Sequence, residues 1–235
     1  MIKEAVILAG GRPFRMKSLI TVAKPFVLTR PEKEETLLEY QINWLTKEGF
    51  EHIILAFSRS NFKYLRKNFS KFLNNPLVDV SIEEEYVGTA GGLRKAFHFI
   101  EEDTFYCMNL DDVTFYDTNT LYAKAGTLNS ILVQKTNLPY AEVKFIPSND
   151  NLVTEYNSRL KSDNYASCGH YVFNKRDVET LLPFEGTLDL SVFPELVSSG
   201  LLRAEVLEGK WIKVNNQKDM YNLINEGSFV INDKT

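Results

Sequence analysis

In the first half of the chain, apolar runs of strand length alternate with segments whose apolar residues recur at helical spacing. The apolar runs lie at residues 1–8, 52–57, 78–82 and 104–110. Thr36 and Glu39 are spaced as a capping box, and Leu38, Ile42 and Leu45 follow at helical spacing. Further helices are predicted at residues 62–72 and 88–100. This alternation predicts a parallel, doubly wound sheet up to about residue 115.

After about residue 115 the pattern changes to one dominated by strands. Strands are predicted at residues 130–135, 141–146, 152–156, 169–173 and 204–207, and helices at residues 188–197 and 218–225. We expect this half to extend the same sheet and to cover its strand ends. Since no repeat, low-complexity tract or linker interrupts the sequence, one α/β domain is predicted over residues 1–235, with halves 1–115 and 116–235.

The overall composition is that of a soluble globular protein, with 44% hydrophobic and 25% charged residues. The formal net charge of −4 provides no basic excess that could hold a nucleic acid. The charge is nevertheless uneven, because residues 1–31 carry six basic residues and one acidic residue, a charge of +5 that leaves −9 for the remainder. A polyanionic small molecule would therefore bind near the N-terminus.

Cysteine content and the apolar runs indicate the compartment. The two cysteines, Cys107 and Cys168, form neither a disulfide framework nor a four-ligand zinc site, so a reducing, cytoplasmic setting is expected. The first apolar run is too short for a signal-peptide core or a membrane span. No membrane association is predicted, and oligomeric state, including a homo-oligomer, stays open.

Two sequence features offer chemistry. Gly10-Gly11 follows a buried strand and precedes Arg12 and Arg15, so backbone N–H groups and arginines can face a phosphate, although a plain tight turn gives the same pattern. Asp111 and its neighbour Asp112 follow the strand at 104–110. Carboxylates at a strand end suit Mg²⁺ bound with substrate phosphates, and a helix cap or turn is the alternative.

Several motifs together resemble those of the sugar-1-phosphate nucleotidyltransferases, and the similarity covers nearly the whole chain. The motifs, in order, are Leu8-Ala9-Gly10-Gly11, Arg15, Lys24-Pro25, Leu38-Glu39-Tyr40, Gly88-Thr89-Ala90-Gly91, Asp111, Val192-Phe193-Pro194 and Trp211-Ile212. The resemblance implies a single-domain Rossmann-like mixed sheet with helices on both faces, of the nucleotide-diphospho-sugar transferase type. It also implies a nucleotide-binding half at 1–115, a sugar-phosphate-binding half at 116–235, and a nucleoside triphosphate and a sugar 1-phosphate as substrates.

The resemblance also implies roles for individual residues. The implied catalytic residues are Arg15, Lys24 and Asp111. The nucleotide would be bound by Leu8, Ala9, Gly10, Gly11, Gly88, Thr89 and Gly91. The sugar phosphate would be bound by Tyr140, Glu155, Arg159 and Gly169. The implied cofactor is Mg²⁺, with Asp111 and Asn215 as ligands. Transfer of the nucleotidyl group then needs positioning and charge neutralisation rather than a protein nucleophile.

The sequence departs from the family pattern at three places. Pro13 and Phe14 stand where a glycine and a threonine are usual, and proline has no N–H to donate. Lys213 replaces the aspartate of a Trp-x-Asp segment, and Ser158-Arg159 replaces a Glu-Lys pair. A second hypothesis is therefore an impaired homologue that binds a nucleotide or NDP-sugar as a regulatory or assembly subunit.

Other polar residues are expected to be structural. The acidic run Glu83-Glu84-Glu85 is predicted to be a solvated strand end. His52 and His98 are predicted to be structural or surface residues, whereas His170 follows Gly169 and its role stays open.

Overall fold

The computed structural model of the chain describes residues 1–11, 24–30, 35–68, 73–137, 142–147, 152–157, 161–215 and 217–227. Its strands are β1 (Glu4–Leu8), β2 (Leu28–Arg30), β3 (Glu35–Thr36), β4 (His52–Ser58), β5 (Val78–Glu83), β6 (Thr104–Asn109), β7 (Asp112–Thr114), β8 (Asn129–Asn137), β9 (Glu142–Ile146), β10 (Leu152–Asn157), β11 (Lys161–Asn174), β12 (Leu202–Val206) and β13 (Trp211–Lys213). Its helices are α1 (Leu37–Lys47), α2 (Arg59–Asn68), α3 (Gly88–Ala96), α4 (Thr118–Ala125), α5 (Lys175–Glu179), α6 (Leu188–Ser191), α7 (Phe193–Ser198) and α8 (Gln217–Gly227), with 3-10 helices at Lys24–Phe26 and Phe97–Phe99.

Seven strands form one mixed sheet in the order β12-β8-β11-β6-β1-β4-β5. The strands of the first half, β6, β1, β4 and β5, are parallel to one another, as predicted. In the second half, β11 runs antiparallel to both β6 and β8, and β12 runs parallel to β8. The predicted α/β fold class, with a mixed sheet, is therefore confirmed. Three further pairs lie outside this sheet: β9 with β10, β7 with β13, and β2 with β3.

The central strands are buried on both faces, which requires a hydrophobic cluster on each side of the sheet. In β1, Ala5 and Ile7 pack into one cluster and Val6 and Leu8 into the other. Side chains of successive strand residues point to opposite faces of the sheet. A strand whose residues are all apolar is therefore covered by apolar side chains on both faces. Residues of α1, α2, α4 and α8 complete the first cluster, and residues of α3, α5, α6 and α7 the second.

The start of α1 is fixed by local hydrogen bonds, as the sequence predicts. The backbone N–H of Glu39 donates to Thr36 Oγ1 at 3.2 Å, and the N–H of Thr36 donates to Glu39 Oε2 at 2.7 Å. Thr36 and Glu39 are both buried, so this capping box satisfies donors that water cannot reach. The helix therefore begins at Leu37, with Leu38, Ile42 and Leu45 in the core.

Some predicted elements differ from the observed ones. The helix predicted at 188–197 is two helices, α6 and α7, because Pro194 lies in the first turn of α7 and has no N–H with which to continue α6. Strand β11 begins at Lys161 rather than at residue 169, since its polar first residues lack an apolar pattern but still pair with β8. The helix predicted at 62–72 is α2, and residues 69–72 lie outside the described part. Helix α4 was not predicted.

A helix that spans a membrane must be both long and apolar. In the residues that the structure describes, no helix is both long enough and apolar enough to cross a bilayer.

The capping box gives a prediction for stability. We expect Thr36→Ala to lower the free energy of unfolding by about 1 kcal/mol, because the Glu39 N–H loses its acceptor in a buried place. Thr46→Ala is the matched control in the same helix, since Thr46 Oγ1 donates to a carbonyl of the helix itself, that of Ile42, at 2.9 Å. Urea unfolding of both variants measures the effect. Equal losses in the two variants would contradict the assigned role of the cap.

Candidate active site

The strand order places a crevice between β1 and β6. The chain passes from β1 to β4 and β5 on one side, then returns to β6 on the other side of β1. In open α/β sheets, ligands bind outside the carboxyl ends of the strands at such a reversal. A cleft of about 210 Å³ lies there and is lined by Leu8, Gly10, Gly11, Glu83, Tyr86, Gly88, Thr89, Gly92, Asn109 and Asp111. The cleft thus joins residues from three predicted motifs.

The Gly-Gly turn after β1 forms one wall of the cleft. Ala9 is buried beneath the turn, where its N–H donates to the Ala56 carbonyl at 2.9 Å and its carbonyl accepts from Asn61 Nδ2 at 2.9 Å. A Cβ on Gly10 would lie 2.5 Å from Glu83 Oε1, whereas a Cβ on Gly11 would meet no atom within 4 Å. Of the two glycines in the turn, only Gly10 is required by the packing of the described residues.

The start of α3 contributes Gly88 and Thr89 to the cleft. In a phosphate-binding helix the first backbone N–H groups are free for the ligand, whereas here two of them have acceptors within the protein. The N–H groups of Ala90 and Gly91 both point at the Gly186 carbonyl, at 3.0 and 3.5 Å. Thr89 Oγ1 accepts a hydrogen bond from the N–H of Leu188 at 2.9 Å. These N–H groups are therefore already bonded within the protein.

Gly91, predicted from the family motif to bind nucleotide, is not among the residues that line the cleft. A Cβ on Gly91 would lie 2.7 Å from the Phe184 carbonyl, so this glycine allows close packing between α3 and the 184–186 segment. Gly92 lines the cleft instead, and a Cβ there would lie 2.6 Å from Glu83 Oε1.

Glu83 is the cleft residue that the sequence interpretation missed, and the prediction of a solvated strand end is wrong for it. Glu83 is buried at the end of β5, whereas Glu84 is exposed and paired with Arg59. Burial raises the pKa of the Glu83 carboxyl, opposed by the positive charge of Lys95 and a hydrogen bond from the Val87 backbone. Glu83 Oε2 has no hydrogen-bond partner in the part of the chain that the structure describes. The signal in the sequence is its position in β5: Glu83 lies two residues after Ser81, which is also buried, so both side chains point to the same face of the sheet.

Next to the cleft residues Asn109 and Asp111, Asp112 is a completely buried carboxylate held by three donors. Trp211 Nε1 donates to Oδ1 at 2.9 Å, and Asn109 Nδ2 donates to Oδ2 at 3.0 Å. Lys213 Nζ lies 3.4 Å from the same Oδ2. Burial and the neighbouring charge of Asp111 raise the pKa of Asp112 to about 6, and Lys213 and the two hydrogen bonds oppose that rise.

Gly169 and His170 lie behind Asp112. Gly169 has a φ of +73°, and a Cβ there would lie 2.0 Å from Asp112 Oδ2. The ring of His170 is completely buried between the Tyr106 hydroxyl, 2.6 Å from Nδ1, and the Asp112 carbonyl, 2.9 Å from Nε2. Burial lowers the pKa of His170 to about 4, so the ring is neutral at pH 7. The structure therefore places Gly169 against the Asp112 carboxylate, and His170 supports the backbone there.

Asp111 and Asn215, the predicted metal ligands, lie on adjoining backbone segments. The N–H of Val214 donates to the Asp111 carbonyl at 2.7 Å, next to the pairing of Lys213 with Asp112 across β13 and β7. Among the described residues, no group of three or more His, Cys, Asp or Glu side chains could hold a metal ion. One carboxylate and one amide fit a Mg²⁺ that is bound mainly by substrate phosphates and water, but not a site that needs a second carboxylate.

Several predicted site residues lie outside the described part of the chain. These residues are Arg15, Tyr140 and Arg159, together with Pro13, Phe14 and Ser158 of the altered motifs. Lys24 begins the 3-10 helix Lys24–Phe26, but its side chain also lies outside that part. The roles given to Arg15, Lys24, Tyr140 and Arg159 stay predictions.

Glu155, predicted to bind the sugar phosphate, lies on the β9–β10 hairpin. Its side chain is exposed, and Oε2 accepts from Lys144 Nζ at 2.7 Å across the hairpin. In the described residues, Glu155 therefore contacts the hairpin rather than the cleft.

Comparison with known proteins shows the family of this chain. The family model described as nucleotidyl transferase matches residues 4–226. The chain belongs to the nucleotidyl transferase family. The chain is similar to a mannose-1-phosphate guanyltransferase of Schizosaccharomyces pombe. The two are 27% identical over 229 residues, which cover 92% of this chain and 62% of that protein. The chain thus spans less than two thirds of the length of this relative.

Solved structures share the fold of this chain. The crystal structure of HddC from Yersinia pseudotuberculosis has a TM-score of 0.74 and 23% identity, covering 96% of this chain and 100% of that one. The structure of the same protein complexed with GMP-PN also gives a TM-score of 0.74, with 22% identity and the same coverage. At these identities the likeness establishes the fold.

The close approach of Gly169 to Asp112 can be tested by stability. We expect Gly169→Ala to lower the free energy of unfolding by about 3 kcal/mol or more, because the new Cβ collides with a buried carboxylate. Gly200→Ala is the matched control, since Gly200 has a similar φ of +67° and open space around it. Its loss should be only the roughly 1–2 kcal/mol cost of the left-handed backbone. Similar losses in urea unfolding would rule out the steric role of Asp112.

Proposed function

We propose that this protein joins GTP to a sugar 1-phosphate, giving a GDP-sugar and pyrophosphate. The observation that carries the proposal is the cleft at the reversal of strand order, which brings the Gly10 turn, Glu83 and Asp111 together. Membership of the nucleotidyl transferase family supports nucleotidyl transfer as the reaction. A relative named mannose-1-phosphate guanyltransferase supports this substrate class. In this proposal residues 1–115 bind the nucleotide, and residues 116–235 bind the sugar phosphate.

Glu83 supports guanine as the base. A carboxylate presents two adjacent acceptors, and guanine presents two adjacent donors, N1–H and the N2 amino group, on one edge. Adenine and cytosine present a donor beside an acceptor there, and uracil presents one donor between two acceptors. Because Glu83 is buried and its Oε2 lacks a partner among the described residues, a ligand that supplies a donor would satisfy it. HddC, which shares the fold, has been crystallised with GMP-PN.

The reaction itself needs charge neutralisation more than a protein nucleophile. An oxygen of the sugar phosphate attacks the α-phosphorus of GTP, and the bond to the pyrophosphate oxygen breaks. Asp111, with Asn215 beside it, would hold a Mg²⁺ that arrives with the triphosphate, and the ion would neutralise phosphate charge. The roles proposed for Arg15 and Lys24, at the pyrophosphate and the α-phosphate, follow from the family motifs.

The base assignment predicts a selective loss. We expect Glu83→Gln to lower kcat/KM for GTP at least about tenfold, because the amide NH2 would face a guanine donor in a buried place. Glu84→Gln is the matched control, as Glu84 is the next residue, is exposed and pairs with Arg59 outside the cleft. Pyrophosphate release measured with GTP, ATP, CTP and UTP compares the variants. If Glu83→Gln uses GTP as well as the wild type, Glu83 does not bind the base.

The role of Asp111 predicts a loss for every nucleotide. We expect Asp111→Ala to abolish pyrophosphate release while the fold stays intact in urea unfolding, because the phosphate charge is no longer balanced. The assay combines the four nucleoside triphosphates with a panel of sugar 1-phosphates and Mg²⁺. Full activity of Asp111→Ala would make the metal assignment wrong. A wild type that binds GTP in calorimetry but releases no pyrophosphate with any pair would favour the second hypothesis, a regulatory or assembly subunit.

A further inference from the structure

Lys213 places a positive charge against Asp112, the residue that follows the cleft residue Asp111. Its Nζ lies 3.4 Å from Asp112 Oδ2, and the two residues face each other directly in the pairing of β13 with β7. The Asp112 side chain is 0% exposed, whereas that of Lys213 is 42% exposed. The buried partner therefore fixes the ammonium, and the ammonium itself remains accessible to a ligand.

The ammonium also has unused hydrogen-bonding capacity. A lysine ammonium carries three N–H donors, and Asp112 is the one acceptor that Lys213 Nζ has among the described residues. Asp112 cannot turn toward a ligand, because Trp211 holds Oδ1 and Asn109 shares Oδ2. Of this ion pair, only the ammonium is able to bind an incoming anion.

The position of Lys213 indicates which anion it meets. Glu83 and Gly10 are on the side of the cleft formed by β5 and β1, and Asp111 follows β6. The Asp112 carbonyl accepts from His170 in β11, the strand that flanks β6 on the side away from β1. Lys213, opposite Asp112, therefore lies beyond Asp111 as seen from the proposed base and triphosphate. Both β11 and β13 belong to residues 116–235, the half that binds the sugar phosphate in the proposed function, so that substrate would reach the α-phosphorus from this side.

We propose that Lys213 binds the phosphate group of the sugar 1-phosphate. The inference rests on the proposed function and adds a residue to it. The ammonium donates a hydrogen bond to a non-attacking phosphate oxygen and neutralises part of its charge, while another oxygen of that phosphate attacks the α-phosphorus and pyrophosphate leaves. Lys213 gains and loses no proton in the step. Because like charges repel, an ammonium here also weakens binding of a divalent cation next to Asp111.

Two variants separate the effect of Lys213 on phosphate binding from its effect on cation binding. Lys213→Met removes the charge, and Lys213→Asp replaces it with a metal ligand. As Lys213→Met leaves the buried Asp112 without its countercharge, the double variant Asp112→Asn/Lys213→Met tests the loss of the ammonium without an unpaired carboxylate. Lys3→Met is the matched control, since Lys3 forms an exposed ion pair with Glu51 at the opposite, amino end of β1.

The measurements do not depend on turnover. Calorimetry follows mannose 1-phosphate binding to protein saturated with a non-hydrolysable GTP analogue, and the EPR signal of free Mn²⁺ follows metal binding to the same complex. We expect Lys213→Met and the double variant to bind mannose 1-phosphate at least tenfold more weakly, with affinity for the GTP analogue within threefold of the wild type. We expect Lys213→Asp to bind Mn²⁺ at least tenfold more tightly, and Lys3→Met to match the wild type.

The proposal is overturned if the wild type does not bind mannose 1-phosphate, if Lys213→Met and the double variant bind it as tightly as the wild type, or if Lys213→Asp leaves Mn²⁺ affinity unchanged. Its failure is distinct from failure of the proposed function. If the wild type releases no pyrophosphate while the binding differences appear, the reaction is wrong and the phosphate site stands. If pyrophosphate is released but the variants bind like the wild type, the reaction stands and Lys213 is not part of it.

Discussion

The cost of removing the Asp112 carboxylate from water organises the structure next to the cleft. A buried charge is tolerated only when donors and a countercharge surround it. Trp211 and Lys213 supply a donor and the countercharge, which joins β13 to β7 and sets the C-terminal segment beside Asp111. The same carboxylate leaves no space for a side chain at Gly169. The buried Asp112 carboxylate thus accounts both for the pairing of β13 with β7 and for the glycine at position 169.

Two buried carboxylates in and beside the cleft serve different purposes. Glu83, which lines the cleft, and Asp112, which lies behind Asn109 and Asp111, are buried carboxylates, and glycines face both of them closely. Asp112 is saturated by protein donors, so it shapes the protein. Glu83 keeps an oxygen without a partner among the described residues, so it is suited to a ligand. The number of protein donors, rather than the residue type, separates a structural carboxylate from a binding one.

The sequence was most informative where local patterns decide the structure. The uninterrupted apolar run of β1 and the capping box of α1 predict those elements, because burial on both faces and a paired cap each leave a mark in neighbouring residues. The Gly10 turn and Asp111 were likewise found from their positions after strands. Glu83 was missed because its burial depends on Gly10, which is distant in sequence, and on Gly92, which approaches it only when α3 packs against the sheet.

The other contacts that the sequence did not predict also depend on packing between residues that are distant in sequence. The pairing of Lys213 with Asp112 links residues 101 positions apart, and no local pattern announces it. The sequence alone presented Lys213 as a missing metal ligand, whereas the structure shows the cation with a buried partner. Gly91 matched its motif but packs against the 184–186 segment, because that segment reaches α3 from the second half. A motif therefore located the region without fixing which glycine faces the cleft.

The hydrogen bond from Leu188 N–H to Thr89 Oγ1 affects when the cleft forms during synthesis and folding. It joins residues 99 positions apart, as does the bond from Trp211 to Asp112 beside the cleft. Contacts of such separation close large loops, and the entropy lost in closing them delays their formation during folding. During synthesis, a chain that has emerged past Leu188 but not past Trp211 has the donor to Thr89 and still lacks the donor to Asp112. The hydrogen bonds around Asp112 are therefore completed only after the segment at 211–213 has been made.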